Sequence, residues 1–202
     1  MELFNDLYDV EKNLLPYDGM VNYHGPILNE LDALAFFKIL CTEIEWQNDL
    51  LIIFGKKIET KRKVAWYGDK AFPYTYSKIT KHALAWNSVL LSLKTLVEKE
   101  SKETYNSCLL NLYHDGTEQM SWHSDNEEQL KKHGAIASLS FGAARRFVFK
   151  HKETKETVQL TLADGSLLVM KDETQDFWLH RLPAMKIVSH PRINLTFRTI
   201  QI

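Results

Sequence analysis

The run Pro191-Arg192-Ile193-Asn194-Leu195-Thr196-Phe197-Arg198 constrains the fold more than any other segment of the chain. As a strand it alternates faces, with Ile193, Leu195 and Phe197 on one side and Arg192, Asn194, Thr196 and Arg198 on the other. The oily face needs a core to cover it. Two arginines on the opposite face need either water, as at a sheet edge, or a buried anion, because an unpaired guanidinium is costly in a protein interior. A dicarboxylate would satisfy both, since guanidinium grips carboxylate in a two-pronged fork.

The same texture extends back to Ser107. Short strand candidates at Ser107–Tyr113, Ala135–Phe141, Arg146–Lys150, Thr157–Leu162, Ser166–Lys171 and Ile193–Ile200 follow one another at close spacing. Asp164-Gly165 between two of them is a hairpin signal. Two helices precede them. Asn29 caps one running to about Trp46, with Ala33, Phe36, Phe37, Leu40 and Ile44 on one face. The other covers about Asn87–Lys99, with Trp86, Val89, Leu90, Leu93 and Val97 inward. The expected fold class is mainly β with helical cladding (α+β), a β-sandwich or jelly roll. No repeat, low-complexity tract or Pro/Gly-rich linker divides the 202 residues, so one domain is expected over 1–202.

Trp122-His123-Ser124-Asp125 sets a histidine and a carboxylate two residues apart, on the same side of an extended segment. Divalent iron in oxygenases is held by two histidines and one carboxylate on one face, leaving positions open for cosubstrate and O₂. The second histidine must come later, from His133, His151, His180 or His190. His180 follows the apolar Phe177-Trp178-Leu179 and is suited to enter a core. His151, between Lys150 and Lys152, reads as solvated. An HxD pair alone is a weak signal; the two-arginine strand beside it makes a metal centre with an anionic cosubstrate the better reading.

Net charge is −1, which by itself argues against a basic nucleic-acid arm, but the figure conceals a split. Residues 1–50 hold ten acids and two bases, a net of −8, and the remainder carries +7. Residues 51–81 are densest, with eight Lys/Arg against Glu59 and Asp69. A local +6 neutralises phosphates as well as it solubilises a surface. Cys41 and Cys108 are too few for a disulfide framework, and each sits in an apolar run where a buried thiol is the default. The N-terminus lacks the pattern of a signal peptide, and no apolar run approaches a membrane span. The expected setting is the cytoplasm, or the nucleus in a eukaryote, with no membrane partner.

His123, Asp125, a histidine 55 residues later and an arginine twelve residues beyond it within RxNLTFR resemble the AlkB family of Fe(II)/2-oxoglutarate-dependent dioxygenases. The resemblance spans about Ile52 to Thr199. It implies a double-stranded β-helix, a jelly roll, with a nucleotide-recognition lid at 51–81, a core at 107–200 and N-terminal helical cladding at 1–50. It implies His123, Asp125 and His180 as iron ligands. Asn111, Tyr113, Arg192, Asn194, Thr196 and Arg198 would form the 2-oxoglutarate pocket, with Arg192 on the distal carboxylate and Arg198 near the chelated end. In the lid, Phe54 would be a finger that fills the gap left by a flipped base, offsetting part of the unstacking cost. Tyr74, Tyr76 and Ser77 belong to the same lid. Tyr76 and His123 would sandwich the base, Glu127 would contact its exocyclic amino group, and Arg62 and Lys63 would hold phosphate.

The activity implied is oxidative demethylation of N-alkylated bases, 1-methyladenine and 3-methylcytosine, in single- or double-stranded DNA by a monomer. Fe(II), 2-oxoglutarate and O₂ would be consumed or held, with release of formaldehyde, succinate and CO₂. Two alternatives are the same chemistry on RNA or a small molecule, and a non-catalytic nucleic-acid-binding jelly roll with a structural zinc. The second has no use for a 2-oxoglutarate pocket. The chain also departs from the family at two places. Met185-Lys186-Ile187 holds one base where duplex-acting members carry a basic run, and Asn126 stands where an acid is common.

Overall fold

The computed structural model describes residues 8–53, 56–76 and 79–201, with the side chains of these except for 50–58 and 73–81. The chain passes through β1 (Met20–Pro26), α1 (Glu30–Glu43), β2 (Gln47–Ile53), β3 (Lys56–Gly68), β4 (Pro73–Tyr76), β5 (Ile79–His82) and β6 (Leu84–Ala85). Then come α2 (Ser88–Ser101), β7 (Ser107–Tyr113), β8 (Met120–His123), β9 (Ile136–Gly142), β10 (Arg145–His151), β11 (Thr157–Leu162) and β12 (Ser166–Lys171). One turn of helix, α3 (Thr174–Phe177), runs straight into β13 (Trp178–Leu182), and β14 (Arg192–Arg198) follows.

Among the described residues these strands make a major sheet in the order β1-β12-β9-β14-β7-β3-β2, with β6 beside β3, and a minor sheet in the order β11-β10-β13-β8. β4 and β5 form a separate hairpin. The two sheets pack face to face. Val21, Ile136, Leu168 and Met170 of the major sheet meet Phe147, Phe149, Leu162 and Trp178 of the minor one. The opposite face of the major sheet is covered by α1 and α2 through Leu40, Leu90, Leu93 and Val97. This is the expected jelly roll with helical cladding.

β14 shows why the arrangement holds. It lies between β9 and β7, and Ile193, Leu195 and Phe197 are fully buried under the helices. Each contributes about 1.5–3 kcal/mol by leaving water. Alternation then forces Arg192, Asn194, Thr196 and Arg198 into the space between the sheets, where all four are also buried. The polar face of a central strand becomes the floor of a cavity.

Both helices start where their caps predict. Asn29 accepts from the Asp32 amide and Asn87 from the Leu90 amide. α1 ends at Glu43, short of Trp46, because Ile44 is already extended and leads into β2. The Trp46 indole then caps the helix end by donating to the Leu40 carbonyl at 3.0 Å.

Several expectations need correction. Residues 1–50 are more than cladding, since β1 pairs with β12 at the edge of the major sheet. The second half of β3 belongs to the sheet body, pairing Lys63–Gly68 with β7, so the lid does not take in all of 51–81. Asp164-Gly165 is no hairpin turn, because β11 pairs with β10 in one sheet and β12 with β1 and β9 in the other. Gly165 supplies a positive φ of 65° and the Asp164 carboxylate accepts the Gly142 amide, so the dipeptide reverses the chain between sheets. His151 is buried at 2% exposure, and Cys41 is exposed on α1. No helix among the described residues is long and apolar enough to cross a membrane.

Candidate active site

β8 and β13 are neighbours in the minor sheet, and His123 and His180 are register partners across them. Their rings face into the cavity with centroids 4.2 Å apart. Asp125, two residues past His123, follows the end of β8, and ligand atoms of His123, Asp125 and His180 all lie within 4.8 Å of one another. The other candidate histidines point elsewhere. His133 meets Asp176 at 2.8 Å, His151 meets Asp18 at 3.2 Å, and His190 is exposed.

The donor set suits a divalent cation. His123 donates from Nδ1 to the Ser121 carbonyl at 2.8 Å, which leaves Nε2 as the lone-pair nitrogen, 3.7 Å from Asp125. Burial, then the neighbouring His123, pulls the His180 imidazole down to about 3, so it stays neutral as a metal ligand must. Its Nδ1 is buried with no protein partner. Burial pushes the Asp125 carboxyl up, but Arg198, His180 and His123 outweigh it and hold the group ionised, below its ordinary value. Arg198 donates to Asp125 Oδ2 at 2.7 Å.

Next to this cluster the polar face of β14 forms a second one. Arg192 donates to Ser140 Oγ at 2.9 Å and Asn194 Oδ1 at 2.6 Å, and Asn194 donates to Thr196 at 2.9 Å. Burial, then the neighbouring Arg145, pulls the Arg192 guanidinium down to about 10, against an opposing pull from Tyr113. Its Nε and the Asn111 Oδ1 are buried without partners. Tyr113 lies among three guanidinium groups, those of Arg62, Arg145 and Arg192, each within 5.9 Å of its ring centre. A cavity of about 180 Å³ joins the two clusters and is lined by His123, Asp125, His180, Asn111, Tyr113 and Arg192 among others. A dicarboxylate reaching from Arg192 toward the His-Asp-His cluster would give the unpaired Arg192 Nε–H its acceptor.

The remaining expected residues fall in three groups. Glu127 lines the same cavity as His123. Arg62 also lines it, but is buried and ion-paired to Asp49, so the phosphate role expected of it is not supported. Phe54 and Ser77 lie outside the described residues, as do the side chains of Tyr74 and Tyr76 on β4. Pattern reading missed Ser138 and Ser140, although alternation along β9 puts them on the face that meets Arg192. It also missed Gln175, whose Oε1 accepts the Asp125 amide at 2.8 Å, and Lys152, which donates to the Gln175 carbonyl and Ser124 Oγ. Neither carries a motif. Arg145 is fully buried and donates to the carbonyls of Asp115, Glu118 and Pro183.

The chain is similar to known proteins in sequence and in fold. The family model described as the 2OG-Fe(II) oxygenase superfamily matches residues 19–198. The chain is 36% identical to the "DNA oxidative demethylase ALKBH2" of Mus musculus, over 96% of this chain and 86% of that one. It is 38% identical to the Homo sapiens protein of the same name, over 91% and 74%. The Bos taurus "Alpha-ketoglutarate-dependent dioxygenase alkB homolog 3" is 39% identical over 86% of this chain and 63% of its own length. A solved structure titled "The structure of OsALKBH1" superposes with a TM-score of 0.64 over 92% of this chain and 99% of that one, at 14% identity, which speaks for the fold alone. With a family model covering nearly the whole chain and relatives above one-third identity, the chain belongs to the AlkB family of the 2OG-Fe(II) oxygenase superfamily.

Proposed function

We propose that this chain is an Fe(II)- and 2-oxoglutarate-dependent dioxygenase that repairs alkylated DNA by oxidative demethylation of N-alkylated bases, 1-methyladenine and 3-methylcytosine among them. The observation that carries the reading is the union of a two-histidine, one-carboxylate cluster with a buried Arg192 in one cavity. Relatives named as DNA oxidative demethylases support DNA as the substrate.

His123, Asp125 and His180 would hold the iron. When bound, iron and 2-oxoglutarate supply the O₂-dependent hydroxylation of the N-methyl carbon, with the cosubstrate leaving as succinate and CO₂. Arg192 would bind the distal carboxylate in a dry setting, aided by Asn111 and Tyr113. Asn194 and Thr196 hold Arg192 in line, and Arg198 keeps Asp125 ionised and aimed. His123 and Glu127 would meet the flipped base, with Phe54, Tyr74, Tyr76 and Ser77 closing over it. The hydroxymethyl product then expels formaldehyde and the repaired base. The protein works as a monomer on single strands and duplexes, with RNA as the competing polymer.

A methylated oligonucleotide incubated with Fe(II), ascorbate and 2-oxoglutarate should yield formaldehyde and succinate in equal amounts. His180→Ala should abolish this while retaining the folded protein's circular dichroism. Full activity of His180→Ala would falsify the ligand assignment, and no product from the unaltered protein would favour a binding-only jelly roll.

A further inference from the structure

Arg62 enters the cavity from β3 with its side chain 9% exposed, and its guanidinium is ion-paired to Asp49 on β2. Nη1 also donates to Met120 Sδ at 3.2 Å, and the guanidinium carbon lies 5.9 Å from the Tyr113 ring centre. The two arginines of β14 are committed elsewhere, Arg198 to Asp125 and Arg192 to Ser140 and Asn194. Arg62 lines the cavity together with exposed Glu45 and Gln47, which form part of its rim. Nothing about a phosphate explains a basic side chain turned inward and matched to a buried carboxylate. A requirement on the charge of the entering base does.

We infer that Asp49 is a specificity-determining residue: by cancelling the charge of Arg62 it keeps the base pocket open to cationic rings. The inference rests on the demethylase reading. Methylation at N1 of adenine or N3 of cytosine places a positive charge on the ring. Methylation at N1 of guanine or N3 of thymine replaces a ring proton and leaves the base neutral. A lone guanidinium at about 6–8 Å, under an effective dielectric near 20, disfavours a cation by about 30- to 100-fold and leaves a neutral ring almost untouched. Glu45 at the rim adds a carboxylate to the same side. The geometry thus makes Asp49 the switch between a pocket that tolerates a cationic lesion and one that repels it.

The test is equilibrium affinity, measured by fluorescence anisotropy with Mn(II) and 2-oxoglutarate in the absence of O₂. Single-stranded oligonucleotides would carry one 1-methyladenine or one 1-methylguanine, with 3-methylcytosine and 3-methylthymine as the second pair. Asp49→Asn should lower the cation-to-neutral affinity ratio by tenfold or more in both pairs. Asp49→Asn/Arg62→Gln, which removes both charges and leaves no buried ion unpaired, should restore the ratio of the unaltered protein. Arg62→Gln alone should hold or raise that ratio, which keeps the test open if Asp49→Asn does not fold. An unchanged ratio in Asp49→Asn, a double variant that stays low, or a fall in Arg62→Gln would each overturn the inference. If Asp49→Asn lowers the ratio but the unaltered protein forms no formaldehyde, the demethylase reading fails and the charge assignment stands. If the unaltered protein forms formaldehyde but Asp49→Asn leaves the ratio unchanged, the reverse holds.

Discussion

Gln175 joins the two segments that carry the candidate metal ligands. Its Oε1 accepts the backbone N–H of Asp125 at 2.8 Å, and its own helical turn, α3, runs directly into the strand bearing His180. Lys152 closes the bracket from the other side, donating to the Gln175 carbonyl at 2.8 Å and to Ser124 Oγ at 3.3 Å. Gln175→Ala strips the acceptor from the amide of a residue only 6% exposed, where water is poorly placed to replace it. Leaving such a group unpaired costs about 1–3 kcal/mol. Expressed through ligand geometry, that is about a 10- to 100-fold loss of metal affinity, the usual range for groups that orient ligands. Mn(II) binding followed by the paramagnetic resonance of the free ion would measure it. KM for 2-oxoglutarate at saturating metal should move less than threefold, because Arg192 and its partners are untouched. Gln175→Glu keeps an oxygen at the same place and should recover most of the affinity. Metal affinity within twofold of the unaltered protein in Gln175→Ala would mean that Arg198 alone places Asp125, and the bracket argument would be refuted.

Arg192→Met should split the parameters the other way, raising KM for 2-oxoglutarate about tenfold to a hundredfold with Mn(II) affinity unchanged, since the lost charge-assisted contact belongs to a residue bonded to Ser140 and Asn194 and to none of the ligands. Equal loss of both would point to general damage. His24 on β1 is held below its ordinary pKa by burial and then Lys171, so the folded state disfavours the protonated ring. Its contribution is present above the unfolded value of about 6.5 and is lost as pH falls below it. His24→Gln should therefore flatten the drop in Tm between pH 7 and pH 5, and an unchanged slope would exclude His24 as a source.

What could be read from the residues follows the physics of strands. Runs of six or seven residues with period-two alternation, such as Thr157–Leu162 and Arg192–Arg198, carry their own signature. β8 and β13 have four and five residues and mixed faces, too short to show a period, although they carry both histidines. The lysines on either side of His151 suggest a solvated ring, and the structure buries it instead. On a strand, the exposure of residues on either side argues for the opposite face, and His151 is packed against Phe177 and Trp178 with Nδ1 accepting two amides. Asp164-Gly165 signals a reversal, and a local signal cannot say whether the strands on either side then pair. Charge counting found the basic stretch correctly but could not tell that Arg62 faces inward, because orientation depends on the partner Asp49 thirteen residues away. Gln175 and Lys152 act through backbone atoms of other segments, and no residue pattern reports such contacts.

β8 is a four-residue edge strand, and among the described strands its one neighbour is β13. Its ladder includes the pair His123 and His180, with an irregularity immediately beyond it. Because side chains alternate, a slip of one residue would turn the His123 imidazole out of the cavity. Docking of the edge strand and assembly of the ligand set are consequently one equilibrium seen from two sides. An ion gripped by both imidazoles acts as the missing rung of a short ladder. By the same linkage, any change that frays this edge weakens the metal without touching a ligand.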